Sequence, residues 1–344
     1  MFSPKNASRR KGVALIIVVF FIALGAVVVS SMSYSAHLSN RLEQAATRLT
    51  SAEFLLKSAI NAARVLIRED ATPEDSARVI SWGPFVEGKE IPGPMLGLPA
   101  GGPRVSIEIR PEESKLPLRA IVPTATSLPD KKWRDIFLRL FRSLGFDNDG
   151  EKTVGGRYAG KVFSAEEMVV NFIDYVDQDK DSYADPDGGF AAGIESDLPE
   201  GTFPNEQIKR ISELATIPGF TAARIRRLTP FVTVFGAGQR ININVAPRIV
   251  IASIHEDLPT YVDAIIEFRN KQDGPFTHQN KKVILAGMLG DDLSNQVDRY
   301  FDAGSRWYQV IAKVDYGASI YFARAIILKR DMGMTPDIRN LELY

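Results

Sequence analysis

Positions 13–29 of the chain are almost wholly apolar, reading VALIIVVFFIALGAVVV, and no charged residue occurs between Gly12 and Ala36. Lys5, Arg9, Arg10 and Lys11 lie just before this run. A membrane-spanning helix needs roughly 17–25 apolar residues, so the run is long enough to cross a bilayer. The basic flank is expected on the cytoplasmic side, with the bulk of the chain on the other. Past the run the pattern changes. Leu38, Leu42, Ala45, Leu49, Ala52, Leu56, Ala59, Ala63 and Leu66 recur at alternating steps of four and three, which draws one apolar stripe along a helix. Glycine is absent from Ala26 to Arg68 and proline from Lys5 to Ala71, so nothing breaks that helix. A rod from Val13 to Arg68 would be on the order of 80 Å long.

The rest of the chain predicts a mixed architecture. Residues 71–103 are rich in proline and glycine and read as loop and turns. Val105, Ile107 and Ile109 alternate with polar residues, which predicts a strand. RWYQVIAKVDYG and SIYFARAIILKRD predict two more strands around Gly317, and the two ends of the chain are expected to share one sheet. Between them the period is helical. Trp133, Ile136, Phe137, Leu140, Phe141 and Leu144 share a face, and Gly145 follows as a stop. Ser164 and Glu167 form a capping box before MVVNFIDYV. Asn205 and Thr221 are read as starts of the short helices IKRISELA and AARIRRL, and Tyr261–Arg269 and Lys282–Leu289 give two more. The expected fold is therefore α+β: a long N-terminal helix with a membrane part, a small antiparallel sheet, and a large, mainly helical insertion.

Composition narrows the function. The 344 residues suit two domains, and 42 basic against 42 acidic residues give no basic excess for a nucleic-acid backbone. There is no cysteine, which removes disulfides and thiol chemistry. His37, His255 and His278 are scattered and form no metal or triad pattern, so catalysis is not expected. Gly155–Lys161 has P-loop spacing, but Val162 stands where magnesium would need a hydroxyl. Ile217–Phe220 and the 242–277 stretch resemble helix-hairpin-helix units, which keeps a membrane-tethered DNA receptor as an alternative.

Three readings compete at the N-terminus: a cleaved signal peptide, an uncleaved anchor, and a leader removed before the apolar helix. The Gly12–Val13 junction and the unbroken rod resemble type IV pilin and type II secretion pseudopilin precursors. In that family a prepilin peptidase cuts after the glycine and methylates the new N-terminus, which would be Val13. Most members carry glutamate at the fifth mature position, where this chain has Ile17. Its lack is typical of the K minor pseudopilins, the general secretion pathway protein K family. The segments FIDYVD (172–177), SELATIPG (212–219) and QRININVAP (239–247) resemble that family in order and spacing.

The resemblance implies a leader over 1–12, an N-terminal helix over 13–70 with its membrane part at 13–36, and a pseudopilin core from 71–115 and 301–344. The inserted domain would be 116–300. It further implies a subunit at the tip of the periplasmic pseudopilus, anchored once in the inner membrane. Expected partners are the I and J minor pseudopilins through the stripe Leu38, Leu42, Ala45, Leu49, Ala52 and Leu56, with the major pseudopilin and inner-membrane secretion components. No nucleic-acid partner is expected. A tip minor pilin of a type IV pilus is the nearer alternative.

One cluster of chemistry stands out. Asp177, Asp179 and Asp181 alternate on a loop and can turn oxygens toward a hard cation, which for calcium needs 6–8 ligands. The opening resembles an EF-hand loop, but Ser182 replaces its glycine and Gly188 its final glutamate. Asp185, Asp187 or Glu195 would have to complete the shell. On the residues alone a solvated acidic loop is the alternative. The resemblance to K pseudopilins, which are similar here and bind calcium, implies Ca2+.

Overall fold

The computed structural model describes residues 7–70, 85, 88–99, 101–123, 128–236, 238–271, 274–331 and 333–344, leaving aside the side chains of 7–13 and Met95. The start of the expected leader, including Lys5, and residues 71–84 of the expected loop lie outside the described residues. The chain forms two compact units, Met1–Lys57 and Ser58–Tyr344.

The helix α1 runs over Ala7–Glu69. It begins ahead of the expected Val13, because Arg9, Arg10 and Lys11 are good helix formers and no proline intervenes. In the first unit its apolar run is exposed, from Leu15 through Phe20 and Phe21 to Val29. A helix so apolar and unburied suits a lipid environment.

The second unit holds a five-stranded antiparallel sheet made of β1 (Lys89–Ile91), β2 (Arg104–Pro111), β7 (Trp307–Asp315), β8 (Ile320–Leu328) and β9 (Asp337–Leu343), in that order. The two ends of the chain meet where β2 pairs with β7, Val105 opposite Val314 and Ile109 opposite Val310. Alternation gives one buried face, with Val105, Ile107, Ile109, Val310, Ala312 and Val314 closed from water. The tight β7–β8 turn needs Gly317, whose φ is 82°. The last turns of α1 bury Ala59, Ile60, Ala63 and Ile67. They are tied to the sheet by Lys329–Asp70 at 2.8 Å and by Arg64, which donates to the Pro336 carbonyl.

Everything in 112–306 leaves and returns between adjacent strands. It contains α2 (Lys131–Ser143), α3 (Ala165–Val176), α4 (Ala222–Leu228), α5 (Arg248–Ile254), α6 (Val262–Asn270), α7 (Lys281–Leu289) and α8 (Asp291–Val297). Two short parallel ladders brace it: β3 (Leu116–Pro117) on β4 (Val232–Thr233), and β5 (Ile241–Asn242) on β6 (Phe301–Asp302). Trp133, Phe137, Phe141, Phe172 and Phe220 lie in its continuous core. The Asp130 side chain caps α2 and the Ser164–Glu167 capping box starts α3. Arg224 is fully buried and bonds Asp149 at 2.6 and 3.0 Å and the carbonyls of Phe146 and Phe163. Asn244, in the QRININVAP segment, donates to the Phe276 and Ala303 carbonyls and accepts from the Phe276 amide, joining three distant segments.

Several expectations change. The 71–103 stretch contains β1 and a 3-10 turn at Gly93–Leu96. IKRISELA is no α-helix: only Ile211–Thr216 winds, as a 3-10 turn, and Asn205 starts no helix. The strand β9 was not foreseen. Its register shifts between Ile326 and Ile327 of β8, which breaks the period of two that would reveal a strand.

A candidate cation site at the end of α3

The helix α3 ends at Val176, and the Asp177 amide closes it by donating to the Ile173 carbonyl at 3.0 Å. The loop that follows folds back so that Asp177, Asp179 and Glu195 each bring a carboxylate oxygen within 4.8 Å of the others. Asp177 is only 5% exposed. Burial, and then the charges of Asp179, Asp174 and Glu195, push its carboxyl up to about 8. Burial also raises Glu195.

The polar inventory does not close within the protein. Asp177 Oδ1, Glu195 Oε2 and Asn205 Oδ1 are buried without a hydrogen-bond donor. Each such oxygen costs roughly 1–3 kcal/mol unless something donates to it or coordinates it. Asn205 has φ 50°, a region asparagine tolerates better than most residues. Its amide nitrogen donates to the Asp179 carbonyl at 2.5 Å and to Glu195 Oε1 at 2.9 Å, which holds both sides of the loop together.

The other acidic residues go elsewhere. Asp181 is exposed, and its amide donates to Asp179 Oδ1 at 3.0 Å. The structure does not bring Asp185 and Asp187 to the trio, because two cations of α2 draw them away. Asp185 pairs with Arg134 at 2.9 Å, and that guanidinium also donates to Tyr183 and lies 3.7 Å over the Phe190 ring. Although desolvation alone would raise the Asp185 carboxyl, the Gly189 amide and Arg134 hold it below its ordinary value. Asp187 pairs with Lys131 at 2.5 Å.

Sequence reasoning missed Asp174, Gly193 and Asn205. Asp174 lies inside FIDYVD, one turn before Asp177, and its carboxylate accepts the amides of Tyr183, Ile194 and Glu195. That asparagine visits φ above zero was the one available signal for Asn205.

Other expected sites are placed as follows. Gly12 and Val13 lie within the α1 backbone. Leu38, Leu42, Ala45 and Leu49 of the stripe are exposed, while Ala52 and Leu56 are buried. Just after the first helix-hairpin-helix-like unit, Arg224 and Arg227 of α4 both pair with Asp149. Lys161 of the P-loop-like stretch pairs with Glu167 at 2.9 Å.

An exposed apolar helix, a small antiparallel sheet and a large helical body inserted between β2 and β7 are the architecture expected from the resemblance to pseudopilins. Residues 114–237, which carry the cation loop, match the family model described as type II secretion system (T2SS), protein K. By that match this part of the chain is similar to protein K of type II secretion systems. The fold is similar to a chain of the crystal structure of the GspK-GspI-GspJ complex from the enterotoxigenic Escherichia coli type 2 secretion system. That likeness has a TM-score of 0.59 at 16% identity and covers 90% of this chain and 99% of that one. No curated protein sequence matches the chain.

Proposed function

We propose that this chain is a minor pseudopilin of type II secretion that caps the tip of the periplasmic pseudopilus, anchored once in the inner membrane with its head in the periplasm, and supports protein export without catalysing a reaction. The observation that carries the tip position is the insertion at 112–306. Pilin-like subunits stack along their helices at a rise much smaller than a domain, so a head this large leaves no room for a subunit above it. The complex named for GspK, GspI and GspJ supports I and J pseudopilins as partners, and the exposed Leu38, Leu42, Ala45 and Leu49 of the stripe are the surface they would meet. The leader 1–12 is removed after Gly12 by a prepilin peptidase, and Val13 is methylated. With Ile17 where most pilins place a carboxylate, the subunit has no charge to offer the amine of a preceding subunit inside the bilayer, which suits a subunit that initiates assembly.

The head holds a calcium ion. Asp177, Asp179 and Glu195 supply carboxylate oxygens, and Asn205 Oδ1 supplies a neutral one. The fit rests on the orphaned buried oxygens, which an oxygen-seeking cation would satisfy together. The ion would neutralise three converging carboxylates and lock the loop to the end of α3. A melting series on the detergent-solubilised full chain tests this, with calcium, magnesium and chelator in parallel, beside co-purification of I and J pseudopilins. A calcium-specific rise that disappears in Asp179→Ala supports the site. Equal melting in all three conditions removes it, and failure to recover either partner removes the assembly reading.

A further inference from the structure

Asp174 is fully buried in α3, one helical turn before Asp177. Its Oδ1 accepts the Tyr183 amide at 2.7 Å, and its Oδ2 accepts the amides of Ile194 at 2.6 Å and Glu195 at 2.9 Å. These donors sit on two separate passes of the loop, which otherwise touch through the Gly193 amide on the Tyr183 carbonyl and a reciprocal Ser182–Ser196 pair. Gly193 closes the remaining side, for a Cβ there would overlap the Asp174 carboxylate. One buried carboxylate thus acts as a template for the backbone on which Glu195 is carried.

We infer that Asp174 is a positioning residue for the cation site: it sets cation affinity by fixing the Glu195 backbone and is not itself a ligand. This rests on the calcium reading above. The trio has its oxygens within 4.8 Å of one another, so a backbone shift of about 1 Å at residue 195 takes one oxygen out of coordinating range. Beyond its own backbone, the polar contact that steadies the Glu195 carboxylate is Asn205, which is itself hung on the same loop. Groups that orient metal ligands without touching the metal typically cost about 10–100-fold in affinity when changed. An amide at position 174 keeps the shape but replaces an acceptor oxygen by an NH2 that faces donors, so at least one of the three N–H bonds is lost.

The experiment is calcium titration of the detergent-solubilised full chain, comparing the parent with Asp174→Asn, Gly193→Ala and, as a ligand control, Asp177→Asn. Asp174→Asn should bind calcium about tenfold or more weakly with an unchanged near-ultraviolet circular dichroism spectrum. The amides of Tyr183, Ile194 and Glu195 should lose hydrogen-exchange protection. Gly193→Ala, which leaves the carboxylate in place but crowds it, should weaken binding in the same direction, and it carries the test if Asp174→Asn does not fold. Calcium isotherms that superimpose on the parent overturn the inference. So does a variant with lower metal-free melting but unchanged affinity in its folded fraction, since that is what a merely structural role produces. A parent that binds no better than Asp177→Asn overturns the calcium reading itself and this inference with it, a result distinct from the previous two.

Discussion

Without a cation, the protein should become less stable as the pH rises from about 4 to about 8, and Asp177 should be the main cause. Its carboxyl moves from an ordinary 3.8 to about 8 on folding. In that window the folded protein holds a proton that the unfolded chain has released, so stability falls as pH rises. Asp174, Asp179 and Glu195 face Asp177, and the raised carboxyls of Asp174 and Glu195 act in the same direction. Asp149 acts oppositely but elsewhere: its carboxyl, lowered to about 2, loses its stabilising effect only as the pH falls below about 4. A tenfold change in proton affinity is worth about 1.4 kcal/mol, so the ceiling for Asp177 is about 5–6 kcal/mol. The loop can admit water as it charges, which reduces the expected effect to ~3 kcal/mol, or about 6 °C of melting temperature in a unit this large. Calcium should abolish the slope, releasing about one proton as it binds near neutral pH. Asp177→Asn should also flatten the slope. Metal-free, that variant should melt above the parent at about pH 8 while losing the calcium response. The assay is thermal melting of the full chain over this range with chelator and with calcium. A metal-free parent whose stability is flat or rises from about pH 5 to about pH 8 refutes the reasoning, as does a metal-free Asp177→Asn that melts below the parent at about pH 8.

Three further outcomes are expected. N-terminal sequencing of membrane-extracted protein should begin at Val13, and Gly12→Val should block maturation; a mature start at Met32 would mean ordinary signal peptidase cleavage. Leu42→Glu or Leu49→Glu should abolish co-purification with partner pseudopilins while the circular dichroism of the head is unchanged, because an unpaired charge in an apolar seam costs several kcal/mol. Unaltered co-purification would count against the stripe. Arg224→Met should lower the urea midpoint by an amount equivalent to about 3–5 kcal/mol, since it strips a fully buried partner from Asp149 and several carbonyls. A loss below about 1 kcal/mol would show that Arg227 alone suffices for Asp149.

The elements legible in the sequence were those with strong local chemistry. The α2 face from Trp133 to Leu144, the Ser164 capping box and the alternation of Val105, Ile107 and Ile109 each declare their geometry within a dozen residues. So does the apolar run that α1 carries. What stayed hidden depends on partners distant in sequence. β9 is a strand because β8 lies beside it, and its bulge erases the alternation. The short β3–β4 and β5–β6 ladders have no pattern of their own at two residues each. At the site, the aspartate spacing pointed to the loop but not to which carboxylates converge. Asp179 and Asp187 look alike in sequence. Only the fold puts Lys131 against one and Asp177 against the other.

The junction of β2 with β7 also bears on the order in which the molecule folds. To these two strands the whole of 112–306 is one hairpin loop, since Pro111 pairs with Tyr308. Closing so long a loop costs about 4 kcal/mol more than closing a two-residue turn if the intervening chain is still a coil. Pairing β2 with β7 early would incur that entropy before any distant contact offsets it, and sheets of such high contact order form slowly. If the helical body condenses first, the β3–β4 and β5–β6 ladders draw Leu116 and Phe301 in behind it, and the two strands arrive as neighbours. The sheet that links head to helix is then the last part to close. A chain still completing its fold would present a finished helical body before the sheet has closed against the last turns of α1.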